Sequence, residues 1–177
     1  EPNGVVWVGF FPRVLDRFDR KTGKITHYVP GPRGGNGLSK GGDLNSIHKD
    51  ARGYLWLGGC ASGLDQFDER SGRFKHYGHD AGDPNSLMSD NVLSIYGDRG
   101  GQLWVGQFGG LSSFDPATER FTNYRPDPGN VASLAYSVSA IHRDRSGTLW
   151  LGTLGGVLSR FNEETMMFVN HAPEPHD

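Results

Sequence analysis

Short stretches in which apolar and polar residues alternate follow one another along the chain, separated by turn-forming residues. In one of them Leu103 and Val105 alternate with Trp104, so a strand would carry the two aliphatic side chains on one face and the indole on the other. Neighbouring stretches share this period of two, and none shows the period of a helix. The pattern predicts four short strands here, at residues 94–98, 102–106, 110–114 and 120–124.

The same pattern occurs four times along the chain. The tryptophans lie 49, 48 and 46 residues apart, and a phenylalanine follows each of them after ten or eleven residues. These two columns are Trp7, Trp56, Trp104 and Trp150, and Phe18, Phe67, Phe114 and Phe161. Four strands in a repeat of about 46–49 residues are typical of a β-propeller blade, whereas armadillo-type repeats of similar length are helical.

We therefore predict an all-β chain that forms a single β-propeller segment over residues 1–177. Blade 1 is predicted at residues 1–30 without its innermost strand, and blades 2, 3 and 4 at residues 43–78, 90–125 and 136–171. A blade buries the faces of its sheet only against neighbouring blades, so the Trp and Phe columns are the expected packing layer. Three full blades and part of a fourth predict an arc of a larger ring, or a homo-oligomer that completes the ring.

The composition argues against some classes of binding partner. A formal net charge of −2 supplies no basic excess for phosphates, which argues against nucleic-acid binding. No apolar stretch approaches the length of a membrane span, so we expect no direct membrane contact in this segment. The single cysteine, Cys60, excludes an internal disulfide.

Candidate catalytic and metal-binding residues each have a structural explanation. The Asp-x-x-Gly turns at Asp50, Asp98 and Asp144 recur once per blade, which separates their carboxylates. Asp16 and Asp65 occupy equivalent positions on neighbouring strands, and we expect them to face solvent. Histidines at equivalent positions are at least one blade apart, too far to share a zinc ion. We predict no catalytic residue, no metal and no cofactor.

One segment resembles a known family. Residues 144–153 read Asp-Arg-Ser-Gly-Thr-Leu-Trp-Leu-Gly-Thr and are followed by Gly-Gly and Arg-Phe-Asn, as in the two-component regulator propeller repeat. The linker at residues 79–92 is similar to that of the same family. The resemblance implies a non-enzymatic module in the periplasmic or extracellular sensor of a bacterial two-component system. Its expected ligand is a small molecule or an oligosaccharide. The alternative hypothesis is a self-assembling interaction scaffold. A function as a propeller lyase or a glycosidase has less support from the sequence than either.

The repeats differ most in the loops at one end of the blades, and loops on a rigid scaffold often carry function. Aromatic rings stack on sugar faces, and amides bond to hydroxyl groups. From this divergence we predict six ligand-binding residues: Phe11, Arg13, Asn45, Asn91, Phe108 and Tyr136.

Overall fold

The computed structural model describes residues 4–31, 36–98 and 100–173, and within these ranges it contains fifteen strands and no helix. Blade 1 has three strands: β1 (Val5–Phe10), β2 (Val14–Asp19) and β3 (Ile25–Tyr28). Blade 2 has β4 (Leu44–Lys49), β5 (Leu55–Gly59), β6 (Leu64–Asp68) and β7 (Arg73–Tyr77). Blade 3 has β8 (Val92–Gly97), β9 (Leu103–Gln107), β10 (Gly110–Asp115) and β11 (Arg120–Tyr124). Blade 4 has β12 (Val138–Arg143), β13 (Leu149–Thr153), β14 (Leu158–Asn162) and β15 (Met167–His171).

Each sheet is an antiparallel meander whose strands pair in chain order. The innermost strand β8 of blade 3 contacts those of its two neighbours, β4 and β12. In blade 1, which has no innermost strand, the Trp-containing strand β1 contacts β4, so the blades form an open arc. The predicted fold class is therefore confirmed. The predicted strand limits in blade 3 agree with the structure to within two residues; β8 begins earlier than expected because it contains a bulge between Val92 and Ser94.

The Asp-x-x-Gly turn holds the first two strands of a blade together through its carboxylate. Asp50 accepts hydrogen bonds from the backbone N–H groups of Arg52 and Tyr54, at 2.9 and 3.0 Å, and from the Trp56 indole at 2.9 Å. Gly53 takes a φ of +92°, a conformation that favours glycine. The carboxylate therefore satisfies the donors of a tight turn and fixes the indole, as the structural interpretation of this turn predicted.

Blade 3 is packed between blades 2 and 4. The side chains of β9 alternate between the two faces of its sheet, so they contact both neighbours. Leu103 and Val105 pack with Trp56 of blade 2, whereas Trp104 packs with Phe161 of blade 4. One strand thus contributes to two cores, which explains why every residue of β9 is buried.

An edge-to-face contact between a tryptophan and the phenylalanine of the next blade recurs at every junction. The ring centroids are 5.8 Å apart for Trp7 and Phe67, 5.2 Å for Trp56 and Phe114, and 5.4 Å for Trp104 and Phe161. This geometry places the positive edge of one ring against the negative face of another. The Trp and Phe columns are thus the packing layer between blades, as expected.

The linker between blades 2 and 3 runs along the outer strand of blade 3 before it enters that blade's innermost strand. The Phe121 N–H donates to the Asn85 carbonyl at 2.9 Å, and the Asn123 amide donates to the Ser86 carbonyl at 3.0 Å. Leu87 then inserts into the core between the two blades. The linker covers a sheet edge that would otherwise expose unpaired backbone groups.

Candidate ligand-binding face

The turn between the second and third strands of a blade lies beside the linker that leads into the same blade. Cys60 N donates to the Asp43 carbonyl at 3.2 Å, and Leu154 N donates to the Ser137 carbonyl at 2.9 Å. We call the surface formed at this end of the arc the loop face. It comprises the turns at residues 11–13, 60–63, 108–109 and 154–157 and the linker ends at residues 41–43, 89–91 and 135–137.

Hydrogen bonds also join the loop face across blade boundaries. Ala61 N donates to Asn91 Oδ1 at 3.0 Å, and Gly109 N donates to Ser137 Oγ at 3.0 Å. In each case a turn of one blade bonds to the linker end of the next blade. The loop face is therefore a continuous, cross-linked surface, and it includes the predicted residue Asn91 as one of its links.

Three of the predicted ligand-binding residues place aromatic rings at the surface of the loop face. Phe11 is 78% exposed, and Phe108 and Tyr136 are about half exposed. Tyr136 lies against Gly155, where a Cβ atom would clash with the tyrosine ring, so the absence of a side chain at this glycine makes room for the ring. These three rings are available to contact a ligand.

Asn45 occupies the bulge in β4, between the paired residues Leu44 and Ser46. A bulge re-aims the side chain of its extra residue. The Asn45 amide donates to the Val92 carbonyl of blade 3 at 3.3 Å and lies 3.5 Å from Cys60 Sγ. Asn45 is exposed, yet its amide already links two blades.

Arg13, the remaining predicted residue, is fully buried. Its guanidinium donates to Asp65 Oδ2 at 3.0 Å and to the Asp43 carbonyl at 3.4 Å, so it joins the β1–β2 turn of blade 1 to blade 2. A ligand on the loop face cannot reach this side chain. We therefore assign Arg13 to the support of the turn that carries Phe11.

Asp65 is also buried, so the expectation that it faces solvent is wrong. Its carboxylate accepts hydrogen bonds from Arg13, from the Ser39 N–H at 3.0 Å and from the Ser39 hydroxyl at 2.7 Å, and it lies 3.0 Å from His76 Nδ1. Burial alone would raise the pKa of Asp65, but the hydrogen bonds from His76 and Ser39 and the charge of Arg13 together hold it below its usual value.

A polar pair bridges the two outer strands at this same position in every blade. The cross-strand partners are Asp16 and His27, Asp65 and His76, Ser112 and Asn123, and Ser159 and Asn170. Aspartate is thus paired with histidine, and serine with asparagine. The replacement of the Asp–His pair by a Ser–Asn pair in blades 3 and 4 keeps the cross-strand hydrogen bond. Ser112 Oγ donates to Asn123 Oδ1 at 2.6 Å, and Ser159 Oγ donates to Asn170 Oδ1 at 2.7 Å. These carboxylates therefore have a structural function.

Comparison with protein families identifies the repeat. The family model described as two component regulator propeller matches residues 86–109 and 133–155. Two segments of the chain are thus similar to the two-component regulator propeller repeat. Each matched segment contains the buried leucine of a linker, an innermost strand and the Trp-containing strand that pairs with it. The predicted resemblance is thereby confirmed. No curated protein matches the chain.

A solved structure shares the fold. The extracellular domain assigned to the hybrid two component system BT3049 of B. thetaiotaomicron is 22% identical and superposes with a TM-score of 0.82 over 98% of this chain. The chain spans about a quarter (24%) of that domain's length. The extracellular domain assigned to the one component system BT4673 of the same organism is 21% identical, with a TM-score of 0.46 over 94% of this chain and 27% of that one.

Two cavities of the arc lie away from the loop face. One, of about 560 Å³, lies between the Asp-x-x-Gly turns of blades 3 and 4, at the opposite end of the strands, where Asp98 and Arg143 approach to 3.5 Å. The other, of about 510 Å³, lies between the linker at residues 79–87 and the outer strand of blade 3. Neither cavity can be predicted from the sequence, because each forms between segments that are not adjacent in the chain.

Across residues 4–31, 36–98 and 100–173, no three His, Cys, Asp or Glu side chains are grouped so that they could hold a metal ion. The same ranges contain no helix with the length and apolar character that crossing a bilayer requires.

Proposed function

We propose that this chain is a non-catalytic ligand-sensing module in the extracellular or periplasmic part of a bacterial two-component system. The similarity of residues 86–109 and 133–155 to the two component regulator propeller supports this assignment. So does the shared fold with a domain assigned to the extracellular part of a hybrid two component system. The ligand, in this proposal, binds on the loop face.

An oligosaccharide is the ligand class that suits this surface. The apolar faces of pyranose rings stack on aromatic side chains, and sugar hydroxyls exchange hydrogen bonds with amides and backbone groups. The observation that carries the proposal is the exposure of Phe11, Phe108 and Tyr136 at one end of the same arc. Aromatic residues at the centre of an interface commonly contribute most of its binding energy.

The carboxylates support a module without catalytic chemistry. Asp50 and Asp144 each accept a hydrogen bond from an indole and from the backbone of their own turn. Asp65 is buried in an ion pair with Arg13. A glycosidase needs two carboxyl groups that face one glycosidic bond. In this chain the recurrent carboxylates instead stabilise turns and blade junctions.

Binding to a panel of neutral oligosaccharides, measured by calorimetry, tests the proposal. We expect Phe11→Ala, Phe108→Ala and Tyr136→Ala each to weaken the binding of the recognised sugar by about tenfold, since an aromatic contact contributes on the order of 1–2 kcal/mol. Tyr54→Ala is the matched control, because Tyr54 lies in the turn at the opposite end of β5. Unchanged affinity in all three loop-face variants, or no binding to any sugar of the panel, would overturn the proposal.

A further inference from the structure

The Asp-x-x-Gly turn of blade 3 differs from its counterparts in blades 2 and 4. In blade 2 the Trp56 indole donates to Asp50 at 2.9 Å, and in blade 4 the Trp150 indole donates to Asp144 at 2.8 Å. In blade 3 the Trp104 side chain is equally buried, but its indole N–H has no hydrogen-bond partner among the described residues. A buried donor without an acceptor destabilises a fold, so this turn lacks an acceptor that the other two turns supply.

The position of Arg143 explains why the carboxylate of blade 3 does not bond to its indole. Arg143 is the last residue of β12 and corresponds to Lys49 in β4 and Gly97 in β8, since each pairs with the first residue of the Trp-containing strand. Its Nη2 atom reaches across the junction to Asp98 Oδ2 of blade 3, at 3.5 Å. Gly97 has no side chain that could reach Asp50 of blade 2 in the same way. Arg143 therefore competes with the indole for Asp98.

Asp98 does not satisfy the guanidinium of Arg143 either. The Nη1 atom donates to the Gly147 carbonyl and to Glu163, both at 2.7 Å. By contrast, Nη2 has only the long contact with Asp98, and Nε is buried without a partner among the described residues. Nε and Nη2 together form the side-on edge of a guanidinium, which binds a carboxylate through two parallel hydrogen bonds. This edge of Arg143 therefore has no well-placed acceptor.

The cavity of about 560 Å³ between the turns of blades 3 and 4 adjoins this edge. We call it the turn pocket, and its walls are formed by Tyr96, Asp98, Gly100, Arg143, Asp144, Arg145 and Gly147. Arg145 is exposed and adds a second guanidinium, whereas the half-buried ring of Tyr96 adds apolar surface. Asp144 already accepts from the Ser146 hydroxyl and the Trp150 indole, so its carboxylate is engaged. The volume is that of a site for a small molecule.

We propose that the turn pocket binds a small organic carboxylate, whose charged group bonds to the Nε–Nη2 edge of Arg143 and lies beside Arg145. The ligand takes the place of Asp98 at this edge, and Asp98 then accepts from the Trp104 indole, as the carboxylates of blades 2 and 4 accept from theirs. One added carboxylate thus provides acceptors for both unpartnered donors, Trp104 Nε1 and Arg143 Nε. The turn pocket lies at the opposite end of the strands from the loop face, so the inference does not depend on a ligand there.

The indole N–H resonance of Trp104 reports this rearrangement, because a new hydrogen bond to a carboxylate moves it downfield. Heteronuclear NMR spectra of the chain with isotope-labelled tryptophan follow it during titration with acetate or succinate at constant ionic strength, with chloride as the reference anion. Trp104→Phe assigns the resonance by its loss. Acetate supplies little more than the charged group, so its expected dissociation constant is on the order of 10 mM. Both anions should move the Trp104 resonance and leave those of Trp7 and Trp56 in place.

Arg143→Gln removes both the proposed ligand contact and the competitor for Asp98. Its Trp104 resonance should lie near the ligand-bound position without any ligand, and acetate should bind at least about tenfold more weakly, because hydrogen bonds between charged groups are lost. The resonances of Trp7 and Trp56 check the fold of this variant. Arg52→Gln is the matched control, because Arg52 bonds to Asp50 within the corresponding turn of blade 2, and it should bind acetate as the wild type does.

Two results would overturn the inference. The first is a Trp104 resonance that neither acetate nor succinate moves, or that moves equally in the wild type and in Arg143→Gln. The second is tighter binding of inorganic phosphate than of either carboxylate, since the turn pocket would then recognise a different class of anion.

Discussion

Trp56 of blade 2 packs edge-to-face on Phe114 of blade 3 with ring centroids 5.2 Å apart and an interplanar angle of 65°. The same indole donates to Asp50 at 2.9 Å, so one side chain couples a turn of its own blade to the core of the next. Contacts of this type hold the arc together.

The first prediction concerns the phenylalanine column. Phe114→Ala should lower the free energy of unfolding by about 3–5 kcal/mol, because it leaves a cavity between two blades. Phe18→Ala, at the equivalent but part-exposed position, should cost less than half as much when the chain is monomeric. Urea denaturation at low protein concentration measures both values. Equal losses would contradict the packing model described above.

The second prediction concerns acid sensitivity. Hydrogen bonds from the Ser146 hydroxyl and the Trp150 indole hold the pKa of Asp144 down from 3.8 to about 2. A carboxyl with a depressed pKa in the folded state stabilises the fold above its unfolded pKa, and this stabilisation is lost as the pH falls towards 2. The Tm of Asp144→Asn should therefore be lower than that of the wild type at pH 5, and the difference should shrink between pH 4 and pH 2. A difference in Tm that stays constant between pH 4 and pH 2 would show that the charge of Asp144 does not stabilise the fold.

The third prediction concerns backbone strain in the outer hairpins. Met166 has a φ of +58°, whereas blades 1 and 2 place Gly23 and Gly72 at the corresponding positions, with φ values of +71° and +69°. Glycine adopts this left-handed conformation without steric penalty, so Met166→Gly should stabilise the chain by about 0.5–1 kcal/mol. Glu119→Gly relieves the same strain but removes an ion pair with Lys75, so its gain should be smaller. Thermal denaturation compares the two variants.

The fourth prediction concerns the buried ion pair. Arg13→Met leaves Asp65 buried without its cation, which should lower the free energy of unfolding by about 3 kcal/mol or more. His27→Ala breaks the related pair with Asp16, where the imidazole is largely exposed, and should cost less than about 1 kcal/mol. Chemical denaturation of both variants provides the comparison. A small loss for Arg13→Met would show that Asp65 does not depend on this partner.

Local regularity made much of the fold predictable. The alternation of Leu103, Trp104 and Val105 fixes which side chain faces which neighbour, and the structure places them in two separate cores as that alternation requires. The turn residues are equally informative, because Asp50 and Gly53 act within a single hairpin. Features set by a few adjacent residues can be read from the sequence.

Features set by distant residues could not be predicted in this way. Arg13 lies in a divergent loop, which suggested a ligand contact, but its partner Asp65 is 52 residues away in the chain. The burial of Asp65 was missed for the same reason. Leu87 lies in a polar linker, outside the alternating pattern of the strands. Only the packing of blades 2 and 3 shows that this leucine belongs to a core. Loop divergence predicts six ligand-binding residues, and that criterion does not separate exposed Phe11 from buried Arg13.

The path of the linker along the outer strand of the following blade determines how this chain can be shortened or extended. Because residues 79–91 bond to β11 before they reach β8, the unit that can be exchanged begins with the linker and not with the innermost strand. Removal of residues 79–125 would join Gly78 to Pro126, whose linker has the same turns as the one removed. A genetic duplication or loss with these limits would change the number of blades and leave each remaining full blade with the linker that covers its outer strand.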